Sequence, residues 1–171
     1  IQEDRVLRVF RNLVEATVRT TFYRAPHPDL PPDAVAIKLD CAAVDKMPAP
    51  RPWREIYVYG GASMEGAHLR GGPVARGGLR WSERPDDFRT EVLGLVKTQI
   101  TKNAQIVPTG AKGCFIVKRL PAPGAGNPGE EIRRCYRILV RSLLEMQDNL
   151  AKNRVVRPAR VVAHDGDDTY L

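Results

Sequence analysis

Ala75 to Val117 reads ARGGLRWSERPDDFRTEVLGLVKTQITKNAQIVPTGAKGCFIV, and the reading of this stretch decides the fold. Two glycine turns that each carry cations, Arg76-Gly77-Gly78-Leu79-Arg80 and Thr109-Gly110-Ala111-Lys112-Gly113-Cys114, flank a helical run ending in Gln99 and Lys102. Glycine lets backbone approach a ligand closely, and the cations supply charge for an anion held between the turns. The pattern suits a small substrate with two carboxylates.

Between the turns, the spacing predicts a helix over 86–102. Asp86 and Asp87 sit where carboxylates complement the start of a helix dipole, and Val92, Leu95, Val96 and Ile100 form a buried stripe. Gln99 and Lys102, three apart, share one helix face. A lysine at that end also complements the dipole, which is the plain alternative to ligand binding. After the second turn, Phe115-Ile116-Val117 reads as an apolar strand. The turn is not a nucleotide loop, because it lacks the G-x-x-x-x-G-K-[ST] spacing and leads into β-branched residues instead of a helix.

Outward from this core, Val6, Phe10, Leu13, Val14, Val18 and Phe22 recur at helical spacing among arginines. They predict a leading amphipathic helix within residues 1–24 that packs one face on a core. Pro26, Pro28, Pro31 and Pro32 make a stiff connector. Val35, Ile37 and Leu39 alternate with polar or small residues as a half-buried strand does, Ile56 and Val58 repeat that alternation, and His68 to Arg70 reads as a third short strand. Beyond the Pro/Gly-rich loop 121–129, Ile132, Cys135, Tyr136, Leu139, Leu143, Met146 and Leu150 predict one apolar face of a long helix, and 161–163 a final strand. Alternating strands and helices imply an α/β domain with a mixed sheet.

The chain has 171 residues, enough for one domain with a real core. Its 43% hydrophobic and 27% charged content indicates a soluble, folded domain. The expectation from the termini is a piece of a longer chain, since residues 170–171 read as the middle of a strand. The net charge of +7 is scattered, with no basic block for a nucleic-acid tail and no apolar run of membrane-spanning length, so neither nucleic acid nor membrane is an expected partner. Arg70-Gly71-Gly72 repeats the Arg76-Gly77-Gly78 triplet, but Val74, Leu79 and Trp81 return the chain to a core, unlike a disordered RNA-binding RGG segment. Three cysteines without a CxxC pair point away from disulfides and zinc and toward the cytoplasm. The segment His164-Asp165-Gly166-Asp167-Asp168 lacks calcium-loop spacing, so no metal is expected.

The two turns and the Gln99-x-x-Lys102 helix end resemble the substrate-binding domain of the glutamate dehydrogenase family, which carries Lys-Gly-Gly-x-Arg, then Gln-x-x-Lys, then Pro-x-Gly-Gly-(Ala/Gly)-Lys-Gly-Gly. Arginine at position 76, with Trp81, Ser82 and the helix EVLGLVKTQ, is more similar to the large multidomain NAD-specific subclass. The resemblance covers most of the chain. It implies oxidative deamination of L-glutamate to 2-oxoglutarate and ammonium, with NAD held mainly by a Rossmann domain outside residues 1–171, and a homo-oligomeric parent enzyme.

By the same resemblance Lys112 is the catalytic lysine, Gln99 and Lys102 bind the substrate α-carboxylate, and Arg76 holds the side-chain carboxylate. Gly77, Gly78 and Arg80 complete the substrate turn. The chemistry is consistent: neighbouring cations and burial disfavour the charged form of a lysine, which suits Lys112 to activate water. Three departures stand out: arginine at 76 is bidentate and always charged, the Lys102–Lys112 spacing is two residues shorter than in the small enzymes, and Cys114 replaces the turn's last glycine. The family's second catalytic group, an aspartate in an Asp-x-Gly-Thr-like segment, has no match here, and no G-x-G-x-x-G occurs. This piece alone is therefore expected to be inactive. A dehydrogenase for another amino acid, or a non-catalytic basic module binding anions or nucleic acid, are the alternatives.

Overall fold

A computed structural model describes residues 2–74, 76–103 and 109–170. Ala75, Ala104, Gln105, Ile106, Val107 and Pro108 of the decisive stretch, and Ile1 and Leu171, lie outside the described residues. The elements in order are α1 (Gln2–Glu15), β1 (Thr17–Thr20), β2 (Val35–Asp40), β3 (Arg54–Gly60), β4 (Met64–Arg70), β5 (Leu79–Ser82), α2 (Phe88–Asn103), β6 (Ala111–Val117), α3 (Pro128–Glu145), β7 (Asn149–Ala151), β8 (Arg154–Val156) and β9 (Val162–Ala163). Seven strands form one mixed sheet in the order β5-β6-β4-β3-β2-β1-β9, and β7 and β8 make a separate hairpin. Among the strands of the described residues, only the β5–β6 pairing in the large sheet is parallel. The strand, helix, strand run through 79–117 thus returns parallel to itself, as a helical crossover allows.

The two faces of the sheet are covered by different helices. On one, Ile56, Val58, Met64 and Phe115 pack against Cys135, Ile138, Leu139 and Leu143 of α3. On the other, Ala67, Leu69, Cys114 and Ile116 pack against Phe88, Val92, Leu93 and Val96 of α2. Strand alternation therefore sends even-numbered β6 residues toward α2 and odd-numbered ones toward α3. Asn127 caps α3, its side-chain oxygen accepting from the Gly129 N–H, with Pro128 at the first helical position.

The leading helix is shorter than its apolar spacing predicts. It ends at Glu15, and Thr17, Val18 and Thr20 enter β1, where branching at Cβ favours an extended chain. Nor does it pack a whole face on a core: Val6, Phe10 and Val14 are exposed, and only Leu13 reaches the small cluster of Ala16, Leu39 and Val44. Leu150, expected on the long helix, lies exposed in β7, and Tyr136 is exposed on α3. Strands β2, β3 and β9 fall where alternation places them, while β4 and β6 extend further toward their N-termini, so Lys112 stands on a strand and not in a turn. Among the described residues no helix is long and apolar enough to cross a membrane.

Candidate functional site

The two glycine turns are joined through their backbones. Arg76 and Gly110 form a parallel bridge. The Ala111 N–H donates to the Arg76 carbonyl at 2.9 Å, and the Gly113 N–H to the Gly78 carbonyl at 3.1 Å. This closeness requires glycine at 77, because a Cβ there would overlap the Ala111 carbonyl oxygen. At Gly110 a Cβ would come within 2.7 Å of Cγ of Gln99, so the end of α2 lies directly against the second turn.

Lys112 is half-buried on β6, paired with Leu69 of β4. Its even position sends it to the α2 side, and its Nζ lies 3.9 Å from where a Cβ on Gly78 would stand. The lysine thus extends over the first turn, on the face where α2 ends. Gln99 is half-buried there, and Lys102 is exposed three residues further along the helix. Arg76 is exposed at the turn itself. Among the described residues no carboxylate lies within ion-pair distance of Arg76, Lys102 or Lys112. Charge without an internal partner is what an anionic ligand needs.

Arg80 differs from the other cations. Its guanidinium lies 3.2 Å from a carboxylate oxygen of Glu91 on α2, and the other oxygen of Glu91 accepts from the Ser82 hydroxyl at 2.7 Å. Glu91 was not singled out by spacing, although it shares a helix face with Leu95 and Gln99 at four-residue intervals. Beneath this pair Cys114 is fully buried and donates its S–H to the Phe88 carbonyl at 3.2 Å. Burial, reinforced by the Glu91 carboxylate, pushes its thiol up to about 12, against the partial opposition of Arg80. It packs between β6 and α2, where burial disfavours its thiolate.

The acidic segment at the C-terminal end has a different use. Lys38 Nζ donates to Asp165 and Asp168, each at 2.7 Å, Arg70 donates to Asp168 at 2.7 Å, and Arg19 holds Asp148 with two bonds of 2.9 Å. Burial alone would raise the Asp168 carboxyl, but the hydrogen bonds and charge of Lys38 and Arg70 outweigh it and hold it below the usual carboxylate range. Among the described residues no group of three or more His, Cys, Asp or Glu is placed to hold a metal ion.

A family model described as "Bacterial NAD-glutamate dehydrogenase, catalytic domain" matches residues 1–171. The chain is 51% identical over 172 residues to an "NAD-specific glutamate dehydrogenase" of Pseudomonas aeruginosa, 49% over 181 residues to one of Mycobacterium tuberculosis, and 50% over 173 residues to one of Halomonas elongata. In each case the whole of this chain is covered, and it spans 11% of the relative's length.

Proposed function

The chain belongs to the bacterial NAD-glutamate dehydrogenase catalytic-domain family, and on that premise we propose that it is the substrate-holding part of an enzyme that oxidatively deaminates L-glutamate to 2-oxoglutarate and ammonium. Arg76 grips the side-chain carboxylate, as a planar guanidinium does well. Lys102 and Gln99 take the α-carboxylate, the amide adding hydrogen bonds without further charge. Lys112 Nζ takes the proton of the water that adds to the α-carbon of the iminium, and returns it to nitrogen as ammonium leaves. Arg80, neutralised by Glu91, shapes the turn and contributes little net charge to the clamp.

NAD would accept the hydride. The glycine turns here do not fit a dinucleotide, since Gly77 is pressed on the Ala111 carbonyl and Gly110 on Gln99, leaving no cradle for a pyrophosphate. NAD is therefore assigned to another part of the polypeptide. A cytoplasmic setting agrees with three buried cysteines that are all free.

The observation that carries this reading is the Lys112 Nζ over Gly78, on the face where α2 ends and with no carboxylate partner among the described residues. The test is NADH oxidation by the full-length protein with 2-oxoglutarate and ammonium, wild type against Lys112→Ala. Removal of the proton-transfer group predicts a loss of roughly 10²- to 10⁴-fold in kcat with the fold intact. Unchanged turnover in the variant removes Lys112 from the chemistry. A wild type active only on another 2-oxo acid removes Arg76 from the side-chain clamp, and inactivity on every 2-oxo acid overturns the enzyme reading.

A further inference from the structure

The two Arg-Gly-Gly triplets look alike in sequence and have opposite fates. Arg76 is exposed at the site, whereas Arg70 is completely buried. Arg70 ends β4, and since Ala67 and Leu69 face α2, it points to the other side of the sheet from Lys112. It cannot touch a substrate held beside Lys112.

We propose that Arg70 is a positioning residue, which fixes the loop carrying Arg76 in register with the strand carrying Lys112. One arm of its guanidinium donates to Asp168 at 2.7 Å, and the other donates to the carbonyl of Pro73, three residues along the same loop. Trp53 and Tyr170 lie against the cation, with the guanidinium carbon 5.1 and 5.7 Å from their ring centres. Asp168 is itself immobilised: its carboxylate also takes Lys38, and its backbone N–H donates to Asp148 at 2.7 Å. The loop between Arg70 and Arg76 is then anchored at both ends. The Gly71 N–H donates to the Gly110 carbonyl at 2.8 Å, Thr109 Oγ1 donates to the Val74 carbonyl, and the Arg76 carbonyl accepts from Ala111. Pro73, Val74 and Arg76 are thus each held by their carbonyls.

A buried ion pair is weak evidence for stability by itself, because a packed apolar residue often serves as well. What an apolar residue cannot do is hold a carbonyl and a carboxylate simultaneously in fixed directions. The guanidinium fork does this, and an ammonium does not. Arg70 therefore acts on substrate affinity through geometry, and the inference rests on the reading of Arg76 as the side-chain clamp.

The test is Arg70→Lys in the full-length protein, with KM for 2-oxoglutarate, KM for NADH, kcat and thermal stability measured together. A displaced clamp predicts a rise of about tenfold or more in KM for 2-oxoglutarate, with kcat within about threefold and KM for NADH unchanged. A folded variant whose KM for 2-oxoglutarate equals that of wild type, whatever its melting temperature, makes Arg70 a scaffold residue only and overturns the inference. If Arg70→Lys does not fold, Asp168→Asn is read in the same assay, since it keeps the side-chain volume and leaves the guanidinium without its carboxylate; an unchanged KM there overturns the inference equally. Wild type without 2-oxoglutarate turnover refutes the proposed function and this inference with it, whereas active wild type with an unaltered KM in the variants refutes the positioning role alone.

Discussion

A carboxylate oxygen of Glu91 lies 3.2 Å from the guanidinium of Arg80, so the two arginines of one glycine turn are electrostatically different. Arg76 has no such neighbour among the described residues. Arg76→Ala in the full-length protein should therefore raise KM for 2-oxoglutarate far more than Arg80→Ala, by about 2 kcal/mol of lost charge-assisted binding against a few tenths. Steady-state kinetics of the two variants check this, and equal effects would show that Glu91 does not neutralise Arg80 in the working enzyme.

Gly77→Ala tests the junction of the turns. The added methyl would occupy the place of the Ala111 carbonyl oxygen, so the backbone bond from Ala111 N–H to Arg76 must break or β6 must move. The expected outcome is severe loss of activity and of amide protection in β6, measured by hydrogen exchange, whereas Gly94→Ala on the exposed side of α2, where a Cβ meets nothing within 4 Å, should leave both the site and β6 protection unchanged.

His68 should make the sheet acid-sensitive in a defined window. Burial, followed by the charge of Arg70, lowers its pKa from the ordinary 6.5 to about 4, and its Nδ1 is buried without a hydrogen-bond partner. The folded state thus resists a proton that the unfolded state binds, so the contribution is fully present above pH 6.5 and is lost as pH falls toward 4. The slope should approach about 1.4 kcal/mol per pH unit, and His68→Leu should flatten it. The carboxyls of Asp148 and Asp168 are held low despite burial, by Arg19 and by Lys38 with Arg70 respectively, so their contribution is present above the ordinary carboxyl value of 3.8 and is lost as pH falls from there through their lowered folded values. Protection factors of β4 amides between about pH 7 and pH 2 separate the two windows.

The cysteines should be inert in the folded protein. Burial pushes Cys41, Cys114 and Cys135 each up to about 12, so thiolate is scarce at neutral pH. Iodoacetamide at pH 7.5 should label these three only after denaturation. Labelling of Cys114 in the native protein, with loss of activity, would put a reactive thiol behind the site.

Much of the candidate site was legible because its residues are local in sequence. The turn 76–80, the helix face of Gln99 and Lys102, and Lys112 lie within one strand, helix, strand passage, and spacing alone predicts that these elements adjoin. Glu91 escaped notice because a single carboxylate on a helix has no signature until its partner is placed. Lys112 was expected in a turn because glycines surround it, but pairing of β6 with β4 on one side and with β5 on the other extends the strand through them. The leading helix was overextended because Val18 and Phe22 continue a helical period that β1 pairing with β2 overrides.

Sequence by itself determined the α/β class, the two glycine turns and the identity of the cations, since composition, periodicity and turn chemistry are properties of short stretches. Only the tertiary structure decided which cations are buried in internal ion pairs and which stand exposed. Arg70 and Arg76 sit in the same triplet, and nothing local distinguishes them. The difference comes from Asp168, 98 residues away from Arg70, because the desolvation of a charge is tolerated only where the folded chain brings it an opposite charge.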